Sequence, residues 1–281
     1  MTAELGPNRY GKSAIRLVRV DRSAGGDRVR DLTVAIALEG DFAASYVDGD
    51  NSLVVATDTM KNTAYALAAE HLTGAIETYA AALGRHFLED SQVSTVTVSI
   101  DEFAWRPIGS APDAFTRDRT STRTCVVAMS RDGLTVDAGI ADLVVMKTSK
   151  SAFSGFPRDE YTTLAETDDR LLATKVSAVW RYVDGVSVVY DASFEAVSRT
   201  LLDVFAEHFS VSVQASIWII GKAILERHPD VEEISMSLPN LHHWTVDLSP
   251  FGIANDREVY VSTTEPHGLI EATIRRSEGG R

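Results

Sequence analysis

The run Val54-Val55-Ala56-Thr57-Asp58-Thr59-Met60-Lys61-Asn62 carries an apolar, strand-like stretch straight into a helical one, and it places a hydroxyl and a carboxylate at the junction. The start of a helix leaves backbone N–H groups without partners and bears partial positive charge, so it can hold an anion. Thr57 and Asp58 are also good N-cap types, and capping is the ordinary structural use of such residues at this place. The seven histidines and the single cysteine, Cys125, show no zinc-like spacing. His242 and His243 are adjacent, so on a strand they point to opposite faces and suit a shared metal poorly.

The elements that must position these groups can be read from periodicity. A first strand is expected over Lys12 to Val20 and a second over Asp31 to Gly40, where Leu32, Val34, Ile36 and Leu38 alternate with smaller residues. Ser23 to Asp27 reads as the turn between them. Helices are expected over Lys61 to Glu70 and His71 to Leu88, the second with Leu72, Ile76, Tyr79, Leu83 and Phe87 at helical spacing. Strands containing Val93 to Ile100 and Thr124 to Met129 complete the half. The polar stretch from Pro107 to Arg123 has no assigned element. The second half repeats the order: strands over Leu134 to Thr148 and Ala173 to Tyr182, a helix through Phe194 and Phe205 to about His208, and a helix over Val213 to Leu225. Strands over Glu233 to Ser237, His243 to Leu248 and Glu258 to Ser262 follow. Two ββααββ modules in tandem are therefore expected, residues 1–130 and 131–281, as antiparallel sheets packed on helices in an α+β fold.

Composition narrows the function. The chain has 281 residues and a formal net charge of −13, which argues against a general nucleic-acid binder and leaves room for a locally positive site. One cysteine excludes an intramolecular disulfide; Cys125, in an apolar run, reads as a buried strand residue. No apolar run approaches the length of a membrane span. The N-terminus lacks a signal-peptide core and the last residues are Gly-Gly-Arg in place of a Ser-Lys-Leu peroxisomal address, so a cytoplasmic location is expected.

Four segments taken together are more specific. Tyr10-Gly11-Lys12, Val54 to Asn62, Gly155-Phe156-Pro157-Arg158-Asp159-Glu160-Tyr161-Thr162-Thr163-Leu164 and Leu238-Pro239-Asn240-Leu241-His242-His243 resemble, in order and spacing, the urate oxidase (uricase) family. The resemblance runs from about Tyr10 to Arg275. It implies the tunnelling fold, in which subunits complete a β-barrel and stack as a homotetramer, so that sheet edges are closed by partners. It implies oxidation of urate by O2 to 5-hydroxyisourate and hydrogen peroxide, with no metal and no organic cofactor.

The same resemblance implies roles residue by residue. Lys12, Thr57 and His242 would form the proton relay. Asn240 and Thr57 would border the oxygen site. Arg170 and Gln214 would hold opposite ends of the purine, Phe153 would stack on it, Leu164 would line the pocket, and Asp58 and Val213 would offer backbone N–H groups. The residue types suit that chemistry. Arginine presents a rigid, charged fork, glutamine a paired donor and acceptor that matches a lactam edge, and an aromatic face holds a flat ring. A lysine beside neutral hydroxyl and imidazole groups can act as a base when burial lowers its pKa, although a bound urate anion opposes that lowering.

Each residue also has a bland use: Lys12 as an exposed strand charge, Phe153 as core, Arg170 as a partner for Asp168 or Asp169, Gln214 as a helix-surface amide, His242 as a satisfied core histidine. Met60 and Leu241 depart from the family pattern beside the site, which is tolerable if their side chains point away. Two other readings stay open: a tunnelling-fold enzyme acting on pterins or other purine rings, which would use zinc ligands or a carboxylate anchor, and a purine-binding protein without catalysis.

Overall fold

A computed structural model of the chain describes residues 3–22 and 26–277, so most of the turn expected at Ser23 to Asp27 lies outside the described residues. Two compact units emerge, one of Met1–Gly139 with Arg181–Phe194 and the other of Ile140–Trp180 with Glu195–Arg281. In the first unit, strands β1 (Tyr10–Asp21), β2 (Arg28–Gly40), β3 (Val93–Pro107) and β4 (Phe115–Ser130) pair antiparallel in that order. Helices α1 (Ala43–Val47), α2 (Thr57–His71) and α3 (Ile76–Leu88) lie between β2 and β3 in sequence. Strand β5 (Leu134–Lys147) passes into the second unit, and β6 (Leu172–Tyr182) follows. The remaining elements are α4 (Tyr190–Glu207), α5 (Val213–Arg227), β7 (Val231–Thr245), β8 (Tyr260–Thr263) and β9 (Leu269–Arg275), with a 3-10 turn at Ser249–Phe251. The fold is α+β with antiparallel sheet, as the alternating strands and amphipathic helices predict.

The core of the first unit follows the sequence pattern. Leu32, Val34, Ile36 and Leu38 of β2 and Val96, Val98 and Ile100 of β3 are buried, with Tyr79, Leu83 and Phe87 of α3. Each such side chain removed from water contributes roughly 1.5–3 kcal/mol before chain entropy is set against it. In the second unit Ile217, Ile220 and Ile224 of α5 and Ile234 and Leu238 of β7 play the same part, and Trp180 of β6 is fully buried. Gly221 lets α5 approach β9; a Cβ there would lie 2.8 Å from Ile274.

Several boundaries differ from the pattern, each for a physical reason. The helical run does not continue from His71 into Leu72. A break at Leu72 to Ala75 separates α2 from α3, and strand arginines take up the carbonyls it frees: Arg19 donates to Leu72 O and Arg30 to Gly74 O at 2.6 Å. The unassigned stretch after Pro107 forms the β3–β4 hairpin, closed by Ile108 N to Ala114 O at 2.8 Å and by an Arg106–Asp118 pair at 3.0 Å. The two strands expected at Glu233 to Ser237 and His243 to Leu248 are one strand, β7, which changes partner midway. It pairs with β9 up to Pro239 and with β8 from His242. Strand β9 escaped the pattern because Ile274 is its only buried residue. Cys125 is buried in β4, as expected, and burial pushes its thiol well above the usual range.

One buried charge cluster ties the first unit together. Glu77, fully buried in the first turn of α3, receives Arg123 of β4 at 2.8 Å, and Arg123 also binds Asp191 at 2.7 Å and lies 4.5 Å from the Phe194 ring. Burial pushes the Glu77 carboxyl up while the Arg123 charge pulls it back. Removing the cation leaves a carboxylate uncompensated, which is the expensive way to break a buried pair. Arg123→Leu is expected to cost about 3–5 kcal/mol of stability in urea unfolding, and Arg123→Leu with Glu77→Leu to recover most of it; a double variant no more stable than the single would contradict this account.

Candidate active site

Tyr10-Gly11-Lys12 is built into the edge of the first unit by contacts that need each residue. Gly11 faces Ala37 so closely that a Cβ would lie 1.9 Å from Ile36 O, which excludes any side chain. The Tyr10 ring meets Phe42 edge-on at 4.8 Å, and its hydroxyl accepts from Val55 N at 2.8 Å. That bond holds the apolar lead-in to α2 against β1. Lys12 follows, half-buried and opposite Ile36, and the pairing register slips between Lys12 and Ile15. Ala14, inside the slip, has φ of 55°, a conformation unusual for a residue with a side chain. Bulges re-aim side chains and concentrate at functional sites.

Thr57 is the first residue of α2 and Asp58 the second. The capping use of these residues is not realised: Ala56 occupies the N-cap position and no side chain caps the helix. The first N–H groups of α2 therefore keep donor capacity, as the anion-binding reading requires. Asp58 is exposed and bound to Lys61 and Asn62. Its carboxyl lies below the usual range chiefly because Lys61 hydrogen-bonds to it, with a smaller contribution from the charge of Lys12. Among the described residues Lys12 makes no hydrogen bond to Thr57.

The other expected residues converge in the second unit on a pocket of about 570 Å³, a volume suited to a small ligand. Phe153, Leu164, Arg170, Val213, Gln214, Asn240 and His242 all line it. Phe153 is fixed by paired backbone bonds with Thr167, at 2.8 and 3.0 Å, and stacks on Phe156 at 5.0 Å. The Arg170 guanidinium lies 5.3 Å from the Phe153 ring and donates through Nε to Ser151 Oγ at 3.3 Å. It pairs with neither neighbouring aspartate; Asp169 binds Arg257 instead, at 3.3 Å. Burial lowers the pKa of Arg170, the mark of a charge held partly out of water. Val213 and Gln214 open α5, whose N-cap Ser212 accepts from Ala215 N at 3.1 Å, and both residues line the same pocket. Asn240 sits where β7 changes partner and donates its backbone N–H to Gly268 O at 2.8 Å.

His242 stacks on Trp244 with ring centres 5.4 Å apart, two residues along the same face of β7. Burial first, then the charge of Arg170, holds its imidazole below the usual range, so the neutral form prevails at neutral pH. Of the two departures, Met60 is buried in the core, whereas Leu241 lines the pocket. Trp244, Arg257 and Tyr260 also line it and were not among the expected residues. Trp244 had a signal, the two-residue spacing from His242; Arg257 and Tyr260 had none.

A flat aromatic wall, a half-buried guanidinium, an exposed amide on a helix start and a neutral imidazole, set in an α+β fold, have the chemistry that suits a small planar anion with hydrogen-bonding edges. Comparison with known proteins narrows this further. The Uricase family model matches residues 8–128 and 136–271. The chain is 46% identical over 278 residues to uricase of Arthrobacter globiformis, covering 99% of this chain and 91% of that one, and 42% identical to uricase of Dictyostelium discoideum over 98% of both. The crystal structure of uricase from Arthrobacter globiformis superposes with a TM-score of 0.95 at 45% identity, over 100% of this chain and 97% of that one. The chain belongs to the uricase family.

The electrostatics of the pocket give a direct check. Histidine-selective NMR is expected to place the His242 titration below the ordinary imidazole value of about 6.5. Arg170→Ala should move it upward, because a nearby positive charge that disfavoured the imidazolium is gone. An unmoved titration in that variant would separate the two side chains electrostatically.

Proposed function

We propose that this chain is a urate oxidase in which urate lies on Phe153 between Arg170 and Gln214. The observation that carries the reading is the convergence of seven expected residues on one pocket with the chemistry a planar, lactam-edged anion needs. In this reading Lys12, Thr57 and His242 relay a proton away from bound urate, which leaves an electron-rich dianion. Two electrons then pass to O2 held beside Asn240 and Thr57, giving dehydrourate and peroxide. Water adds to the dehydrourate to yield 5-hydroxyisourate, and hydrogen peroxide leaves, so that urate, O2 and water balance the two products. The protein contributes orientation and charge placement.

The reading calls for neither a metal nor an organic cofactor. Urate absorbance should fall in air, with peroxide release, after exhaustive chelation; loss of turnover that an added metal restores would exclude the cofactor-free route. Lys12→Met should lower turnover far more than it weakens binding of a non-oxidisable purine, since Lys12 is assigned to proton transfer. Near-parental turnover in that variant would remove Lys12 from the relay.

The proposal extends to assembly and location. Residues 1–130 and 131–281 act as two tunnelling-fold modules, the barrel closes on oligomerisation into a homotetramer, and the enzyme works in the cytoplasm. Strand β1 ends the strand order with one side unpaired among the described residues, an edge that a partner strand would cover. Among the described residues no helix is long and apolar enough to cross a membrane. Lys12 and Thr57 of one subunit then complete the pocket of its neighbour. Co-expression of Thr57→Ala with Arg170→Ala should restore peroxide production that neither variant shows alone. Silence from verified mixed oligomers would favour a site within one chain.

A further inference from the structure

Behind the pocket lies a row of buried hydroxyls that no step of the reaction uses. Ser151, Ser210 and Ser216 are fully buried. Ser210 Oγ and Ser216 Oγ are 2.8 Å apart, and Ser216 Oγ is 2.8 Å from His208 Nε2. His208 Nδ1 lies 2.6 Å from Val204 O, so that nitrogen carries the proton and donates to the carbonyl. Nε2 must then accept from the Ser216 hydroxyl, and Ser216 in turn accepts from Ser210. Burial, with the charge of Lys147 adding to it, holds the imidazole below its usual range, which agrees with that neutral tautomer.

The row ends on the two groups that grip a ligand. The single Ser210 proton is shared between Ser216 Oγ and the weaker acceptor Ser212 O, at 3.2 Å, and Ser212 is the N-cap that starts α5 just before Val213 and Gln214. At the other end Ser210 is bridged to the Ser151 strand through Ala152 N to Ser210 O at 2.8 Å and Ser210 N to Lys150 O at 2.9 Å. Ser151 holds Arg170 twice, by its carbonyl accepting from Arg170 N at 2.8 Å and by its hydroxyl accepting from Nε at 3.3 Å. Apolar residues would fill this space without the desolvation that three buried hydroxyls cost. A polar row in which every hydroxyl has partners is directional, and it links the Arg170 support to the start of α5 that carries Gln214.

We propose that Ser210, Ser216 and His208 are positioning residues that set the Arg170-to-Gln214 span and so the affinity for the flat ligand. The proposal rests on the urate reading. Its test compares the full-length Ser216→Ala, Ser210→Ala and Ser216→Thr variants with the parent. Three quantities are read: the Kd of xanthine, a flat purine that shares the six-membered dione ring; the KM and kcat for urate; and the Tm. Loss of one buried bond should weaken xanthine binding and raise KM about tenfold in parallel, with kcat changed less than about twofold. Ser216→Thr keeps the hydroxyl and should restore affinity even where its extra methyl lowers Tm. Should Ser216→Ala not fold, Ser210→Ala and Ser216→Thr carry the same comparison. Alanine variants that lower Tm while Kd and KM stay parental would overturn the positioning role and leave a merely structural one. A parent that neither binds xanthine nor consumes urate would overturn the urate reading together with it.

Discussion

The first turn of a helix exposes N–H groups that its own backbone cannot satisfy, and an anion site made from them is useful only if that turn cannot move. Both proposed halves of the site depend on this constraint. The start of α2 has no side-chain cap, and the Tyr10 hydroxyl bound to Val55 N anchors the chain two residues before Thr57. The start of α5 is capped by Ser212, which is itself tied to the buried hydroxyl row through Ser210. In each case the donors stay available while a neighbouring strand or loop supplies the rigidity.

Charge placement follows a similar logic. An acidic chain concentrates positive character locally by burying part of one arginine that has no carboxylate partner among the described residues. Arg257 occupies Asp169, which would otherwise compete for Arg170. Among the described residues the Arg170 guanidinium meets a serine hydroxyl and an aromatic ring but no carboxylate, and its charge depresses the basicity of His242. A neutral imidazole is the form that can accept a proton, so the same arginine would serve both the proposed recognition and the proposed relay.

The fold outside the site is held by basic side chains at places where helices stop. Arg19 and Arg30 take the carbonyls between α2 and α3, Lys147 binds Phe205 O at 2.9 Å, and Arg276 binds His228 O at 3.0 Å. Cations at helix C-termini satisfy orphan carbonyls and complement the helix dipole. These contacts let strands dictate where helices end, which local propensity alone does not do.

Alternation in β2 and the helical spacing of α3 are local patterns, and from them the antiparallel α+β class, most strand and helix positions and the burial of Cys125 were legible in the sequence. The family resemblance named Phe153, Leu164, Arg170, Val213, Gln214, Asn240 and His242, which share one pocket, whereas Lys12, Thr57 and Asp58 are not among its lining residues. Other features needed tertiary contacts. The single strand β7 could not be read through Leu238-Pro239-Asn240, since proline there reads as a strand end and only the exchange of β9 for β8 along one strand shows it to be continuous. The slip after Lys12 has no glycine to announce it, because Ala14 adopts its positive φ under the pairing of β1 with β2. Leu241 and Arg257 joined the pocket through strand register and a long-range ion pair. Residue chemistry and periodicity are properties of neighbours in the chain, and they are written in the sequence; register, partner exchange and the alignment of buried hydroxyls depend on groups distant in the chain, and only folding brings those together.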